Sequence, residues 1–249
     1  MATKKKMLEA AAGAAGGASL DITDVFSTYL YTGNASTQTV TNGIDLSGEG
    51  GLVWIKNRSA ASTNHSIFDT ESGATGGTRL RTNLADGLQT FNGSAVFTTS
   101  STGFALNNDA SNDLNDSLYD YASWTFRKAP KFFDVVTWTG NAVSGRQIAH
   151  NLGTTVGSIF VKQLTGANNW MVYHRGANGG TNAEDYNLYL NLTNANEANA
   201  MWADTAPTDT HFTVGGGAAV NGANNTYVAY IFAHNDSGDG EFGPDGDQD

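Results

Sequence analysis

Residues 124–141 read WTFRKAPKFFDVVTWTGN, and residues 28–34 read TYLYTGN. In the longer stretch a β-like run, WTF, ends at Arg127, Lys128 and Pro130, a second run, FFDVVTW, starts at once, and a Gly-Asn turn closes it. The shared ending brings much more of the chain into alignment. STYLYTGN (27–34) lies over VVTWTGN (135–141), with Tyr31 on Trp138, and GGLVWIK (50–56) lies over GSIFVK (157–162), with Lys56 on Lys162, 106 positions on. SIFD (66–69) matches MVYH (171–174), GFAL (103–106) matches HFTV (211–214), and YASWTF (121–126) matches YVAYIF (227–232). Five blocks in one order mark an internal repeat. WTFRKAPKFF is then a junction made of the last strand of one module, a Pro-bearing linker and the first strand of the next.

Within each module, aromatic and β-branched blocks of strand length are bounded by Gly, Asn, Asp and Ser clusters such as TGN, NGSA and SSTGF. Tyr121, Ser123 and Thr125 alternate with Ala122, Trp124 and Phe126 at the period of a strand, and no stretch after residue 24 carries a helical period. Roughly seven or eight short strands in about 105 residues predict a β-sandwich, because stacking sheets is how such a pattern buries one face. The expected fold is all-β: two tandem homologous antiparallel sandwiches of jelly-roll or lectin-like type, at 24–130 and 131–235. One larger sandwich built from both repeats is the rival architecture. Residues 1–23 are expected to form an assembly arm with a short helix over 5–12. The stretch 236–249, rich in Asp and Gly, is expected to be an acidic linker to a further module.

The totals narrow the function. A net charge of −11 with only 13 basic residues among 249 argues against a nucleic-acid binder, which needs a clustered Lys/Arg face. No cysteine is present, so disulfides, thiolate zinc sites and a cysteine nucleophile are excluded. No apolar run approaches the ~20 residues that cross a bilayer, so no membrane insertion is expected. The start MATKKKMLEAAAGAAGGA has a basic head, but Glu9, Gly13, Gly16 and Gly17 break the apolar core a signal peptide requires.

No reaction is spelled out by spacing. The five histidines form no HxH or HExxH pattern, and neither a GxSxG elbow nor a GxxxxGK loop occurs. The expectation is no enzyme and no cofactor. A glycosidase would need two facing carboxylates, for which Asp69, Glu71, Glu184 and Asp185 are the candidates. Sugar binding asks for exposed rings with hydrogen-bonding neighbours. Trp54, Trp124 and Trp138 sit where the other module has Phe160, Tyr230 and Tyr31, which marks them as core. Trp170 and Trp202 lack aromatic counterparts and become candidate platforms, with Arg146 and His174 as the donors beside them; His150 shares the SGRQIAHNLG segment with Arg146. Asp245, Asp247 and Asp249 begin like a calcium loop but lack its later Glu, so no metal is assigned.

GLVWIKNRS, HSIFDTESGA, STGFAL and YASWTFRKAP together resemble a module found in bacteriophage structural proteins, especially of marine phages, often described as tail fibres or lectin-like domains. Trp54, Lys56, Arg58, Asp69, Gly103, Phe104, Tyr121 and Trp124 fit its pattern, while Glu71-Ser72 stands where that module has Arg-Gly. The resemblance implies a concanavalin-like sandwich in a virion component made in the host cytoplasm. A tail fibre or appendage subunit attached by its N-terminal part is the leading reading. A capsid decoration or head-fibre protein without ligand, or a glycan depolymerase, are the alternatives. Expected partners are other virion proteins (tail adaptor, nozzle or capsid) and sister copies in a homotrimer, with a host surface glycan as a candidate ligand.

Overall fold

The computed structural model describes residues 21–91, 96–107, 111 and 113–234. The expected helix at 5–12, the arm's contacts and the acidic tail lie outside these residues. Strands carry the fold, as the alternation of β-branched and aromatic residues predicts. In the first half they are β1 (Phe26–Thr32), β2 (Gln38–Thr41), β3 (Gly51–Asn57), β4 (His65–Asp69), β5 (Thr78–Arg79), β6 (Gln89–Thr90), β7 (Phe97–Ser100), β8 (Gly103–Leu106) and β9 (Asp120–Arg127). The second half has β10 (Phe133–Thr139), β11 (Arg146–Ala149), β12 (Val156–Gln163), β13 (Met171–His174), β14 (Tyr186–Tyr189), β15 (Glu197–Ala198), β16 (His211–Val214) and β17 (Thr226–Ala233). One helical turn, α1 (Ile22–Val25), precedes β1, its Thr23 amide capped by the Asp21 carboxylate.

Every sheet is antiparallel. The large sheet of the first half has the order β1-β9-β3-β4, and that of the second half β10-β17-β12-β13-β14-β15. In both, the first strand of the half pairs with its last, and the last with the strand that follows the long loop. A smaller sheet lies over each large one: β2-β8-β7 in the first half, β11-β16 in the second. Between β2-β8-β7 and its large sheet sits a core of Val40, Val53, Ile55, Phe68, Phe97, Phe104, Leu106 and their neighbours. Its counterpart, between β11-β16 and the second large sheet, includes Ile148, Ile159, Val161, Phe212, Val214, Ala229 and Ile231.

The two TGN turns are built from the same parts. Tyr31 donates its hydroxyl to the Leu114 carbonyl at 2.7 Å and stacks on Tyr121 at 5.1 Å; Trp138 donates its indole N–H to the Val220 carbonyl at 3.1 Å and stacks on Tyr227 at 5.3 Å. A ring with a polar tip at this position must find a buried acceptor, which is why Tyr and Trp exchange there. The buried amide of Asn115 bonds Asn34 twice, receiving its backbone N–H and donating to its side chain, and also donates to the Ser36 carbonyl. The buried amide of Asn221 does the same with Asn141 and the Val143 carbonyl. A Cβ on Gly33 would sit 2.1 Å from the Asp116 carbonyl, and one on Gly140 2.1 Å from that of Gly222, so the middle position of TGN admits only glycine.

A third core, which the sequence did not announce, joins the halves. The outer face of the first large sheet contributes Leu52 and Ile67, the loop after β4 adds Ala74, and Leu80 follows β5. Phe133, Val135, Val228, Tyr230, Leu164 and Trp170 come from the second half. Along β17, Tyr227, Ala229 and Ile231 point into the second half's own core, while Val228 and Tyr230 point across the seam. Strands buried on both faces explain why their sequences read as nearly continuous apolar runs. The two sets of sheets are joined through a common core. Between β9 and β10 the chain turns within residues 128–132, pinned by Lys128 N–H to the Gly50 carbonyl and by Asp134, which accepts from the Val135 and Asn151 amides.

Candidate functional site

At the seam an acidic side chain of the first half meets a phenol of the second, Asp69 and Tyr230. Asp69 ends β4 and is 1% exposed. Its Oδ1 accepts the backbone N–H groups of Glu71 and Ser72 at 2.8 and 2.6 Å, and its Oδ2 accepts the Ser72 hydroxyl at 2.5 Å and the Tyr230 hydroxyl at 2.6 Å. Burial, and the neighbouring Asp69 charge, raise the Tyr230 pKa well above the ordinary phenol value, so Tyr230 remains a donor at any working pH. Both oxygens of Asp69 are thus committed inside the protein. The pair fastens one half to the other and offers no free base.

Two residues on, Glu71 reaches the surface. Its Oε1 receives the Lys128 ammonium at 2.9 Å. On one side of Glu71 a groove of about 390 Å³ runs past the 46–50 turn to Thr70, Thr75 and Thr99. On the other a groove of about 380 Å³ follows the seam, with Thr137, Thr139 and Thr226 below and Leu88 and Leu164 at its side. The walls are fixed by bonds across the seam: Leu88 N–H donates to the Leu164 carbonyl at 2.9 Å, and the indole N–H of Trp170 donates to the Arg81 carbonyl at 3.0 Å. A Cβ on Gly87 would lie 2.2 Å from the Leu164 carbonyl, so the close approach of the two loops depends on that glycine.

Lys162, on β12, is fully buried and donates to the Asn168 carbonyl at 2.7 Å. Burial lowers its pKa to about 8, with Asp86 partly offsetting the shift. Its aligned partner Lys56 is half-buried and holds the loop of its own hairpin in the same manner, through the Thr63 carbonyl at 2.9 Å. Both lysines therefore close a hairpin.

The structure corrects the expected ligand platform. Trp170 and Trp202 are 0% and 1% exposed, so neither ring has a face to offer a sugar. They lie on opposite sides of the second large sheet, Trp170 in the seam core and Trp202 in the core beneath β11-β16, where it donates to the Tyr186 carbonyl at 3.0 Å. Arg146 is drawn into the second TGN turn, donating to the Thr139 carbonyl and to Asn221 Oδ1. His174 is exposed at the end of β13 and accepts the Gly176 N–H at 3.1 Å, while His150 is buried against Phe212. The four do not form one site. Among the carboxylates, Asp69 and Glu71 lie at the seam, whereas Glu184 and Asp185 occupy a 3-10 turn of the second half. Asp245, Asp247 and Asp249 lie outside the described residues; among the described ones no group of three or more His, Asp or Glu side chains is arranged to hold a metal.

What sequence reasoning missed is the seam itself. Trp170 has no aromatic counterpart because its job, reaching the Arg81 carbonyl, has no counterpart in the other half. Trp54 and Trp124, expected in a core, are half-buried on the outer face of the first large sheet, where Trp54 packs against the seam core; the two rings meet edge to face at 6.3 Å, with the Trp54 N–H on His65 Nδ1 at 2.9 Å. Among known proteins, a family model described as a domain of unknown function (DUF7483) matches residues 21–244. No curated protein and no solved structure matches the chain.

Proposed function

The chain belongs to the DUF7483 family, and we propose that within it this protein is a virion structural component, a subunit of a tail fibre or comparable appendage that attaches through its N-terminal part and contributes to host surface recognition. The observation that carries the proposal is the seam core. An appendage must transmit orientation along its length, and two stacked units joined only by a short turn would swing. Here Tyr230 and Asp69, Trp170 and Arg81, and the packed Leu52, Phe133 and Val135 make the pair one body. The resemblance of the strand motifs to phage structural modules supports the same reading. So does a surface whose polarity rests on Asn, Thr and Ser, with only 15% charged residues.

The test is made on particles. Virions assembled from a genome encoding the chain are purified and probed by mass spectrometry and by gold-labelled antibody against residues 21–234. The chain should be present and label a projecting appendage. Its absence from purified particles would overturn the proposal, and labelling spread over the capsid would favour a decoration protein.

A further inference from the structure

We propose that the seam groove beside Glu71 binds a neutral sugar residue, which deepens the host-recognition part of the reading above. The floor follows from strand geometry. Thr137 and Thr139 are two apart on β10 and so share a face, and Thr226 is the direct cross-strand partner of Thr139 on β17. That face is the one whose other residues, Val135, Val228 and Tyr230, pack into the seam core. The core stops at Val228. Beyond it the same face opens into the groove, carrying three hydroxyls that make no hydrogen bond with another described residue.

The rest of the lining selects the ligand. Leu88 and Leu164 present aliphatic surface at the groove's side, and Glu71 stands at its edge with Oε1 on Lys128, while Oε2 makes no hydrogen bond with another described residue. Threonine hydroxyls donate and accept, a carboxylate oxygen accepts, and the leucines cover a ring's C–H face; a pyranose has matching donors, acceptors and C–H groups. An anionic ligand is disfavoured by Glu71 and by the chain's charge of −11. A volume of about 380 Å³ lies in the range of small-ligand sites. Because both halves line the groove, it exists only while the seam is closed.

The experiment uses the full chain with D-glucose, D-galactose, D-mannose and N-acetyl-D-glucosamine as probes and D-glucuronate as the anionic control, followed by saturation-transfer NMR and titration. At least one neutral sugar should bind with millimolar Kd and show contacts from its ring protons. Thr139→Val and Thr226→Val are isosteric and suit a strand, so they should fold, verified by an unchanged Tm; each should weaken binding by about fivefold to tenfold. Thr99→Val, in the neighbouring groove, should leave binding unchanged. No binding by any neutral sugar, binding indifferent to both floor variants, or tighter binding of glucuronate would each overturn the assignment. The two proposals fail separately. Sugar binding by a chain absent from virions would sink the virion reading alone, and a virion chain that binds no sugar would sink this one alone.

Discussion

Replacing Tyr230 with phenylalanine removes a single oxygen from the middle of the seam and keeps the ring. Tyr230 is fully buried, and its hydroxyl is 2.6 Å from an Asp69 carboxylate that is itself 1% exposed. In the variant, Asp69 Oδ2 loses this donor and keeps the Ser72 hydroxyl, while Oδ1 keeps its two amides. A hydrogen bond to a buried charged group contributes about 1.5–3 kcal/mol, and the ring's packing against Trp170 at 6.1 Å is untouched, so the loss should fall in that range. For a chain of this size that is roughly 3–10 °C in Tm. Urea unfolding followed by tryptophan fluorescence gives the stability, and the slope m should remain unchanged because the same surface is exposed. Asp69→Asn combined with Tyr230→Phe supplies the control, since adding it to that variant should cost much less than Asp69→Asn in the wild type if the two groups are coupled. A loss below about 0.5 kcal/mol for Tyr230→Phe would refute the idea that this pair fastens the seam.

Three further outcomes follow from named residues. Lys162 has a folded pKa of about 8 against about 10.4 in the unfolded chain, so the unfolded state holds more protons between those values and stability should rise with pH across that window, by up to about 3 kcal/mol; Lys162→Met should flatten the rise between pH 8 and 10, and an identical pH profile for the two proteins would contradict it. Asn115→Ala and Asn221→Ala should each cost about 2–4 kcal/mol in urea unfolding, because each strands the same turn groups in its own half; a large cost in one and none in the other would show that the turns are not equivalent. Trp170→Ala should cost about 3–5 kcal/mol and Trp124→Ala about 1–2, measured the same way, since the first ring is buried in the seam and the second is half-buried on a sheet face.

The strands and their turns were legible because they are local: a period of two and a TGN turn are written in adjacent residues. Asn115 and Asn221 were harder, since each sits in a loop and acts on a turn about 80 positions away. The seam was not legible. Which face of β17 meets the other half depends on how two sheets stack, and Val228 and Tyr230 look no different in sequence from Ala229 and Ile231. The same blindness misplaced Trp170, whose lack of an aromatic counterpart marked an inter-half contact and not a ligand platform. It also hid the groove, because Thr137, Thr139 and Thr226 are ordinary strand threonines until the core beside them ends. Arg146 was read as a groove residue, yet a guanidinium next to a turn rich in carbonyls satisfies them first.

Differential scanning calorimetry of the intact chain tests the central claim, that the seam makes the two halves one body. A shared core whose strands are buried on both faces leaves neither half able to melt without exposing apolar surface of the other. The account predicts a single transition with calorimetric and van't Hoff enthalpies in agreement, which splits or broadens when Trp170→Ala and Tyr230→Phe are combined. Two resolved transitions in the wild type, each with about half the total enthalpy, would show halves that melt on their own and would contradict it.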